Sequence, residues 1–200
     1  MKLLWSPTSP FVRKVLVMIK EKGIEALLEK QRSDPFSRED RQGSPNPLGQ
    51  IPCLILADGR AIYDSPVIME YLDVVCDGPE MLPKSGSSRW RILTRQALAD
   101  GMMSSMVIYY LETLKKSERQ SRGVLAHHKG TVLRGIGALD DELLLFSDQI
   151  NIGTIAVAVA VAFAEQIFSR DWRTENANLA DWFDDFSMRP SMRETVLTDA

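Results

Sequence analysis

The sequence predicts two domains, the first mixing strands with helices and the second entirely helical. Residues 1–76 contain short strand-like runs between amphipathic segments, whereas residues 89–200 show helical apolar periodicity and no convincing strand. Between them, the sequence DGPEMLPKSGSS at positions 77–88 is dense in Gly, Pro and Ser, which is typical of a linker. We therefore expect an α/β domain over 1–76, a linker over 77–88 and an all-α domain over 89–200.

The first strand and the first helix are expected within the opening 23 residues. Residues 2–5 are strand-like, and Ser9 and Pro10 then supply the residue types that favour the N-cap and the first position of a helix. Apolar residues recur at helical spacing from there until Gly23, which predicts the helix end. Residues 24–30 have a helix-forming composition where a crossover would require a strand, and the sequence leaves both alternatives open.

A hairpin follows a polar loop at residues 33–49. The pair Asp58-Gly59 is a strong turn signal between the apolar runs 51–56 and 60–63. Pro52 has no N–H to donate, so it belongs at the start or the edge of its strand.

The later helices follow from the same reasoning. Ser65 and Pro66 repeat the opening pattern, which predicts a second helix with Ser65 as its N-cap. The segment 150–164 is apolar but shorter than the roughly 20 residues that a bilayer requires, so we expect a buried helix there and no membrane span. The helices of the second domain are expected at residues 89–114, 122–146, 151–168 and 178–188.

Composition narrows the classes of partner and the compartment. With 44% hydrophobic residues, the 200-residue chain is long enough for a buried core. A formal net charge of −3 gives no field to attract nucleic acid. The chain has only two cysteines, Cys53 and Cys76, and no basic, apolar leader at its start, so a cytoplasmic location is expected.

The two predicted helix starts are candidate anion sites, because unpaired N–H groups and a partial positive charge gather at a helix N-terminus. The hydroxyl of Ser9 has two alternative uses at this stage. It can accept the N–H of Phe11 or Val12 as a helix cap, or it can donate to a negative atom of a ligand.

The order of five short motifs resembles that of the cytosolic glutathione transferases. The first three are SPFVRK (9–14), NPLGQIP (46–52) and DSP (64–66), and the last two are NIGT (151–154) and MRPSM (188–192). The resemblance covers nearly the whole chain and is closest to short bacterial glutathione transferase-like proteins. It implies a thioredoxin-like first domain with a mixed four-stranded sheet, an all-helical second domain, a homodimer and glutathione as co-substrate, without a metal.

The resemblance also implies roles for individual residues. Ser9 would donate a hydrogen bond to the glutathione thiolate, Ile51 would pair through its backbone with the cysteinyl unit, and Pro52 would be held cis. The remaining glutathione contacts would be Phe11, Gln50 near the glycyl end, and Asp64 and Ser65 at the γ-glutamyl end, while Asp100 would reach across the dimer. Each residue also has an ordinary structural use, as a cap, a strand start or a solvated loop residue.

Serine at position 9 favours one reaction class. A free thiol of pKa 8.5 is only about 3% ionised at pH 7, so a site that lowers this pKa by about two units makes the thiolate dominant. Serine cannot form a mixed disulfide, which favours conjugation of glutathione to a small apolar electrophile. The alternatives are a non-catalytic interaction protein of the same fold and a glutathione-dependent reductase or lyase.

Other residues are weaker candidates. His127 and His128 are adjacent, so on a helix they point about 100° apart and cannot chelate one metal ion as an i, i+4 pair can. Cys76 has no basic neighbour in sequence that would make it reactive. A stripe of Met and Tyr residues between Met102 and Tyr110 fits either an electrophile pocket or core packing.

Overall fold

Residue contacts divide the chain into two units. The computed structural model describes residues 1–143, 146 and 149–198. The first unit comprises residues 1–84 together with the described residues after 189, and the second comprises residues 85–189. The expected division placed everything after residue 88 in the helical domain, whereas residues 190–198 pack with the first unit.

Four short strands form the sheet of the first unit. They are β1 (Lys2–Trp5), β2 (Glu29–Arg32), β3 (Cys53–Ile55) and β4 (Ala61–Ile62), in the order β2-β1-β3-β4. Strand β1 is parallel to β2 and antiparallel to β3, and β3 is antiparallel to β4. The mixed four-stranded sheet expected from the resemblance is confirmed, and Pro52 lies immediately before β3, as its missing N–H predicts.

Nine α-helices are present among the described residues. They are α1 (Pro10–Lys22), α2 (Arg38–Gly43), α3 (Ser65–Val75), α4 (Ser87–Thr113), α5 (Arg122–Glu142), α6 (Ile152–Ile167), α7 (Trp172–Glu175), α8 (Ala177–Ser187) and α9 (Pro190–Arg193). Residues 24–30, which the sequence left ambiguous, form a short 3₁₀ turn at Glu25–Leu27 and then enter β2.

Helices α1 and α3 of the first unit pack together and bury an apolar core, and α3 also contacts β3. Helix α1 packs against α3 and α9. It ends at Gly23, whose backbone adopts φ 68°, the left-handed conformation for which glycine is suited. Leu3, Val15 and Ile68 are fully buried in this unit. Helix α2, which the sequence did not predict, has only six residues and is capped by the hydroxyl of Ser37.

The expected linker is fixed to the first unit over much of its length. The carboxylate of Asp73 accepts the backbone N–H groups of Met81 and Leu82, both at 2.9 Å. It also forms an ion pair of 2.9 Å with Lys22, whose ammonium donates to the carbonyl oxygen of Pro79 at 2.8 Å. The side chains of Asp73 and Lys22 are 5% and 1% exposed, so this pair is internal. Residues 79–82 are therefore an ordered part of this unit.

The second unit is a helical bundle built around α6. Helix α6 is buried along nearly all its length and packs on α4, which also contacts α5. Its start is a complete capping box, in which Asn151 accepts the N–H groups of Gly153 and Thr154 while the Thr154 hydroxyl accepts the N–H of Asn151 at 3.0 Å. Within the described residues, no helix combines the length and apolar character needed to cross a bilayer.

Candidate functional site

Strand register brings three candidate segments to one end of the sheet. Leu4 of β1 lies opposite Cys53 of β3, so the chain after β1 and the chain before β3 lie at the same end of the sheet. Leu54 lies opposite Ile62, and β4 runs antiparallel to β3, so the chain that follows β4 also lies at this end of the sheet. The loop to Ser9, the Ile51-Pro52 step and the turn into α3 are thus neighbours by topology.

Ser9 caps α1, and its hydroxyl proton is not used in doing so. Its Oγ accepts the backbone N–H of Val12 at 3.3 Å, and Ser9 adopts extended backbone dihedrals as an N-cap residue does. A hydroxyl that accepts one hydrogen bond retains its own proton for donation. No acceptor for that proton is found among the described residues. The two alternative uses of Ser9 are therefore compatible in one geometry.

The start of α3 differs from the sequence prediction. The N-cap is Asp64, whose carboxylate accepts the backbone N–H of Ser65, so the expectation that Ser65 caps this helix is wrong. Ser65 instead occupies the first turn, fully buried, and its Oγ has no hydrogen-bond partner among the described residues. Aspartate and serine are both good caps, and the helix here begins one residue earlier than the Ser-Pro pattern indicates.

The loop before β3 presents its backbone through a network centred on Asn46. The buried side chain of Asn46 donates to the carbonyl oxygen of Gln50 at 2.9 Å and accepts the N–H of Leu48 at 3.0 Å. The Ile51-Pro52 peptide bond is cis, as the resemblance implied. Asn46 is a residue whose role the sequence analysis missed, although an Asn before a proline is a recognisable turn signal.

The remaining site candidates are distributed unevenly. Gln50 and Asp64 are exposed, and Phe11 and Ile51 are half-buried, all in the first unit. Asp100 lies on α4 in the second unit, where its carbonyl oxygen accepts the hydroxyl of Ser104 at 2.9 Å.

The Met stripe of α4 belongs to the core of the second unit. Met102, Met103 and Met106 are almost completely buried. The sulfur of Met102 packs so closely on Gly135 that a Cβ at that position would lie 2.6 Å from it. Tyr109 packs edge-on against Phe168, with 4.7 Å between ring centroids. Of the two uses left open by the sequence, core packing is the one these methionines have.

Neither cysteine has the environment of a reactive thiol. Both are free, and burial raises the pKa of Cys53 and of Cys76. The rings of His127 and His128 lie edge to face with centroids 5.0 Å apart. No group of three or more potential metal-binding side chains was found among the described residues.

The arrangement at the sheet end suits an anionic, peptide-like ligand. The N-termini of α1 and α3 carry partial positive charge, and each bears a hydroxyl with a proton to donate. The backbone of Ile51, which precedes the cis proline and the paired residues of β3, offers groups for pairing with an extended peptide. Such a set of groups can hold two negative atoms of one ligand at separate positions.

Comparison with known proteins supports the resemblance to glutathione transferases that the sequence motifs indicated. A family model described as the N-terminal domain of glutathione S-transferase matches residues 8–75. The chain is 31% identical over 199 residues to the uncharacterized GST-like protein YibF of Escherichia coli (strain K12), with 98% of both chains covered.

Solved structures are similar over the full length. A glutathione transferase family member from Pseudomonas fluorescens Pf-5, crystallised with bound glutathione, superposes with a TM-score of 0.92 at 34% identity over 99% of each chain. A glutathione S-transferase from Methylobacillus flagellatus KT, also with glutathione bound, gives 0.90 at 31% identity over 98% of this chain and 99% of that one. On this fold, these motifs and these relatives, the chain belongs to the cytosolic glutathione transferase family.

Proposed function

We propose that this protein binds glutathione at the shared end of the sheet and transfers it to a small apolar electrophile. The observation that carries the proposal is the hydroxyl of Ser65, which is fully buried and has no partner among the described residues. A buried unpaired hydroxyl is unfavourable, and native proteins retain such groups where a ligand or water satisfies them. The γ-glutamyl carboxylate of glutathione is the matching acceptor at the N-terminus of α3.

Ser9 supplies the chemistry in this proposal. Its unused hydroxyl proton forms a hydrogen bond to the glutathione sulfur, and the N-terminus of α1 adds a positive potential, so the thiolate is favoured over the thiol. The thiolate then attacks the electrophilic carbon, the new C–S bond forms, and the leaving group departs with the electron pair. The thiol proton has passed to solvent before this step. Serine takes part only as a donor, because it cannot form a mixed disulfide.

With the glutathione sulfur at Ser9 and the γ-glutamyl carboxylate at Ser65, we expect the remaining contacts with glutathione to be as follows. The backbone of Ile51, beside the cis Pro52, pairs with the cysteinyl unit. Gln50 lies near the glycyl end, and Asp64 contacts the α-amino group. Phe11 lies in the first turn of α1 close to the sulfur.

We further propose that the protein is a cytoplasmic homodimer in which Asp100 contacts the partner's glutathione. Support comes from exposed apolar side chains within each unit, among them Val74 of α3 and Trp90 of α4, which are 79% and 67% exposed. Large apolar side chains left in solvent favour association. Sedimentation velocity at several protein concentrations distinguishes a dimer from a monomer.

The first experiment is a calorimetric titration with reduced glutathione at neutral pH, followed by an assay with a chlorodinitrobenzene-type electrophile. We expect micromolar to low millimolar binding and measurable conjugation. No binding at several millimolar would support the alternative of a non-catalytic interaction protein. Binding with no conjugate, but with reduced or eliminated products from other substrates, would support a reductase or lyase.

A further inference from the structure

Arg13 is a buried cation with no counter-charge among the described residues. Arg13 is only 5% exposed, and its Nη2 donates a hydrogen bond to the carbonyl oxygen of Met192 at 3.1 Å. Its Nε is buried without a partner, and none of the described carboxylates forms an ion pair with it. Burial lowers the pKa of Arg13 to about 10, so it still carries its charge at neutral pH. An isolated buried charge is unfavourable and invites an anion.

Arg13 lines an elongated groove of about 300 Å³ within the first unit. The N-cap residue Ser9 lines it together with Arg13, Leu16 and Lys20 of α1, and the spacing of these residues places them on one face of the helix. Lys20 follows Ser9 by eleven residues, which corresponds to roughly 16 Å along the helix axis at 1.5 Å per residue. The rest of the lining comes from Ile19 of α1, from residues in or next to β1 and β2, and from residues 194–198.

The lining combines an apolar wall with one uncompensated buried charge. Trp5, Leu16 and Leu28 are among its apolar residues. Lys20 also lines the groove, but its charge is balanced by Glu194 at 2.6 Å and by Glu25 at 3.6 Å. Lys30 lines the groove as well, but it is exposed, and its ammonium lies 5.3 Å from the centroid of the Trp5 ring. Arg13 is therefore the buried cation of this lining that has no ion pair with a described carboxylate.

We propose that this groove binds a medium-chain carboxylate, with the carboxylate on Arg13 and the alkyl chain along the apolar wall. A planar guanidinium matches a carboxylate in geometry, and its single charge matches a monoanion. The elongated shape suits a flexible chain better than a compact ligand. The groove meets the proposed glutathione site at Ser9, which lines it, whereas Ile51, Pro52, Asp64 and Ser65 do not. Arg13 and the apolar wall extend away from Ser9 along α1.

Octanoate is the probe, and 1-octanol is its neutral control with the same chain. Calorimetric titration of the full-length protein at neutral pH should show octanoate binding with one-to-one stoichiometry, about tenfold or more tighter than octanol. In the Arg13→Gln variant this preference should disappear. Octanoate should also shift the Nε–H resonance of Arg13 in the wild-type protein, a readout that does not depend on any variant folding.

Reciprocal variants separate this site from the proposed glutathione site. Arg13→Gln should lose octanoate binding and keep glutathione affinity, whereas Ser65→Ala should lose glutathione affinity and keep octanoate binding. Three results would overturn the proposal: equal affinity for octanoate and octanol, an Arg13 resonance that octanoate leaves unmoved, or complete displacement of octanoate by glutathione. Failure of glutathione binding alone leaves the octanoate result standing.

Discussion

Asp64 caps α3 through the backbone N–H of Ser65, and this contact leaves the Ser65 hydroxyl buried without a partner of its own. Asp64 thus stabilises the start of the helix, whereas the hydroxyl of Ser65 forms no hydrogen bond with the described residues. A hydroxyl in this position lowers the stability of the free protein and raises affinity for a ligand that accepts its proton.

Ser65→Ala should therefore change stability and binding in opposite directions. We expect the free energy of unfolding of the free protein to rise by about 1 kcal/mol, because an unsatisfied buried hydroxyl is removed. We expect glutathione affinity to fall about tenfold or more, as a hydrogen bond to a carboxylate is lost. Urea denaturation and calorimetry measure the two effects. The exposed Ser85→Ala serves as the control, and a Ser65→Ala protein that is less stable would contradict the interpretation.

Ser9→Ala should impair both the helix and the thiolate. Loss of the cap to Val12 should lower the free energy of unfolding by about 1 kcal/mol. Loss of the hydroxyl donor should raise the pKa of the bound glutathione thiol, so the pH profile of conjugation moves to higher pH. Ser9→Thr, which retains both functions, is the matched control. An unchanged pH profile in Ser9→Ala would rule out the proposed role of the hydroxyl.

Asp73→Ala should be strongly destabilising although it lies outside the proposed site. The change leaves the ammonium of Lys22 buried and removes the acceptor for the backbone N–H groups of Met81 and Leu82. Breaking a buried ion pair by removing one partner typically costs about 3–5 kcal/mol. Urea denaturation should show this loss, while the exposed Asp77→Ala should change stability by less than about 0.5 kcal/mol. Similar stabilities for the two variants would refute the anchoring role of Asp73.

Glu112→Gln should destabilise the protein in a pH-dependent way. The pKa of Glu112 is held below its ordinary value of 4.5 mainly by a hydrogen bond from the side chain of Lys115 and, to a smaller extent, by one from the backbone N–H of Ser121. A folded-state pKa below the unfolded one gives stability that is present above the unfolded value and lost as the pH falls through the folded value. The difference in melting temperature between wild type and variant should thus be largest near neutral pH and shrink below pH 4.5. A difference independent of pH would contradict this assignment.

Thr154→Val tests the buried capping box of α6. The substitution leaves the backbone N–H of Asn151 without the acceptor that now lies at 3.0 Å. We expect the free energy of unfolding to fall by about 1–2 kcal/mol. Thr131→Val is the control, because both hydrogen bonds of the Thr131 hydroxyl, to His127 and from Arg134, lie on the exposed surface of α5. Equal effects of the two substitutions would show that the capping box contributes little to the free energy of unfolding.

Local sequence signals predicted those parts of the fold that local chemistry controls. The Asp58-Gly59 turn is flanked by β3 and β4, and Asn151 caps α6 at the expected position. The N-cap of α3 was misplaced by one residue because Asp64 and Ser65 are both good caps, and only the folded backbone decides between them.

Features that depend on distant partners were not predictable in this way. Nothing near Arg13 in the sequence indicates that it is buried without a carboxylate, since its burial depends on residues at the other end of the chain. The unpaired state of Ser65 is likewise set by the sheet and helices around it. The anchoring of residues 79–82 required Asp73 and Lys22 to meet inside the unit, although composition alone is typical of a flexible linker.

The packing of α9 on α1 also orders events during synthesis. Arg13 and Met192 are 179 residues apart, and Glu21 and Ser191, whose side chains share a hydrogen bond, are 170 apart. A ribosome adds roughly 5–20 residues per second, so α1 is synthesised about ten to forty seconds before Ser191 and Met192. The first unit is therefore completed only once residues 190–193 have been made, and until then α1 lacks the contacts that Ser191 and Met192 supply.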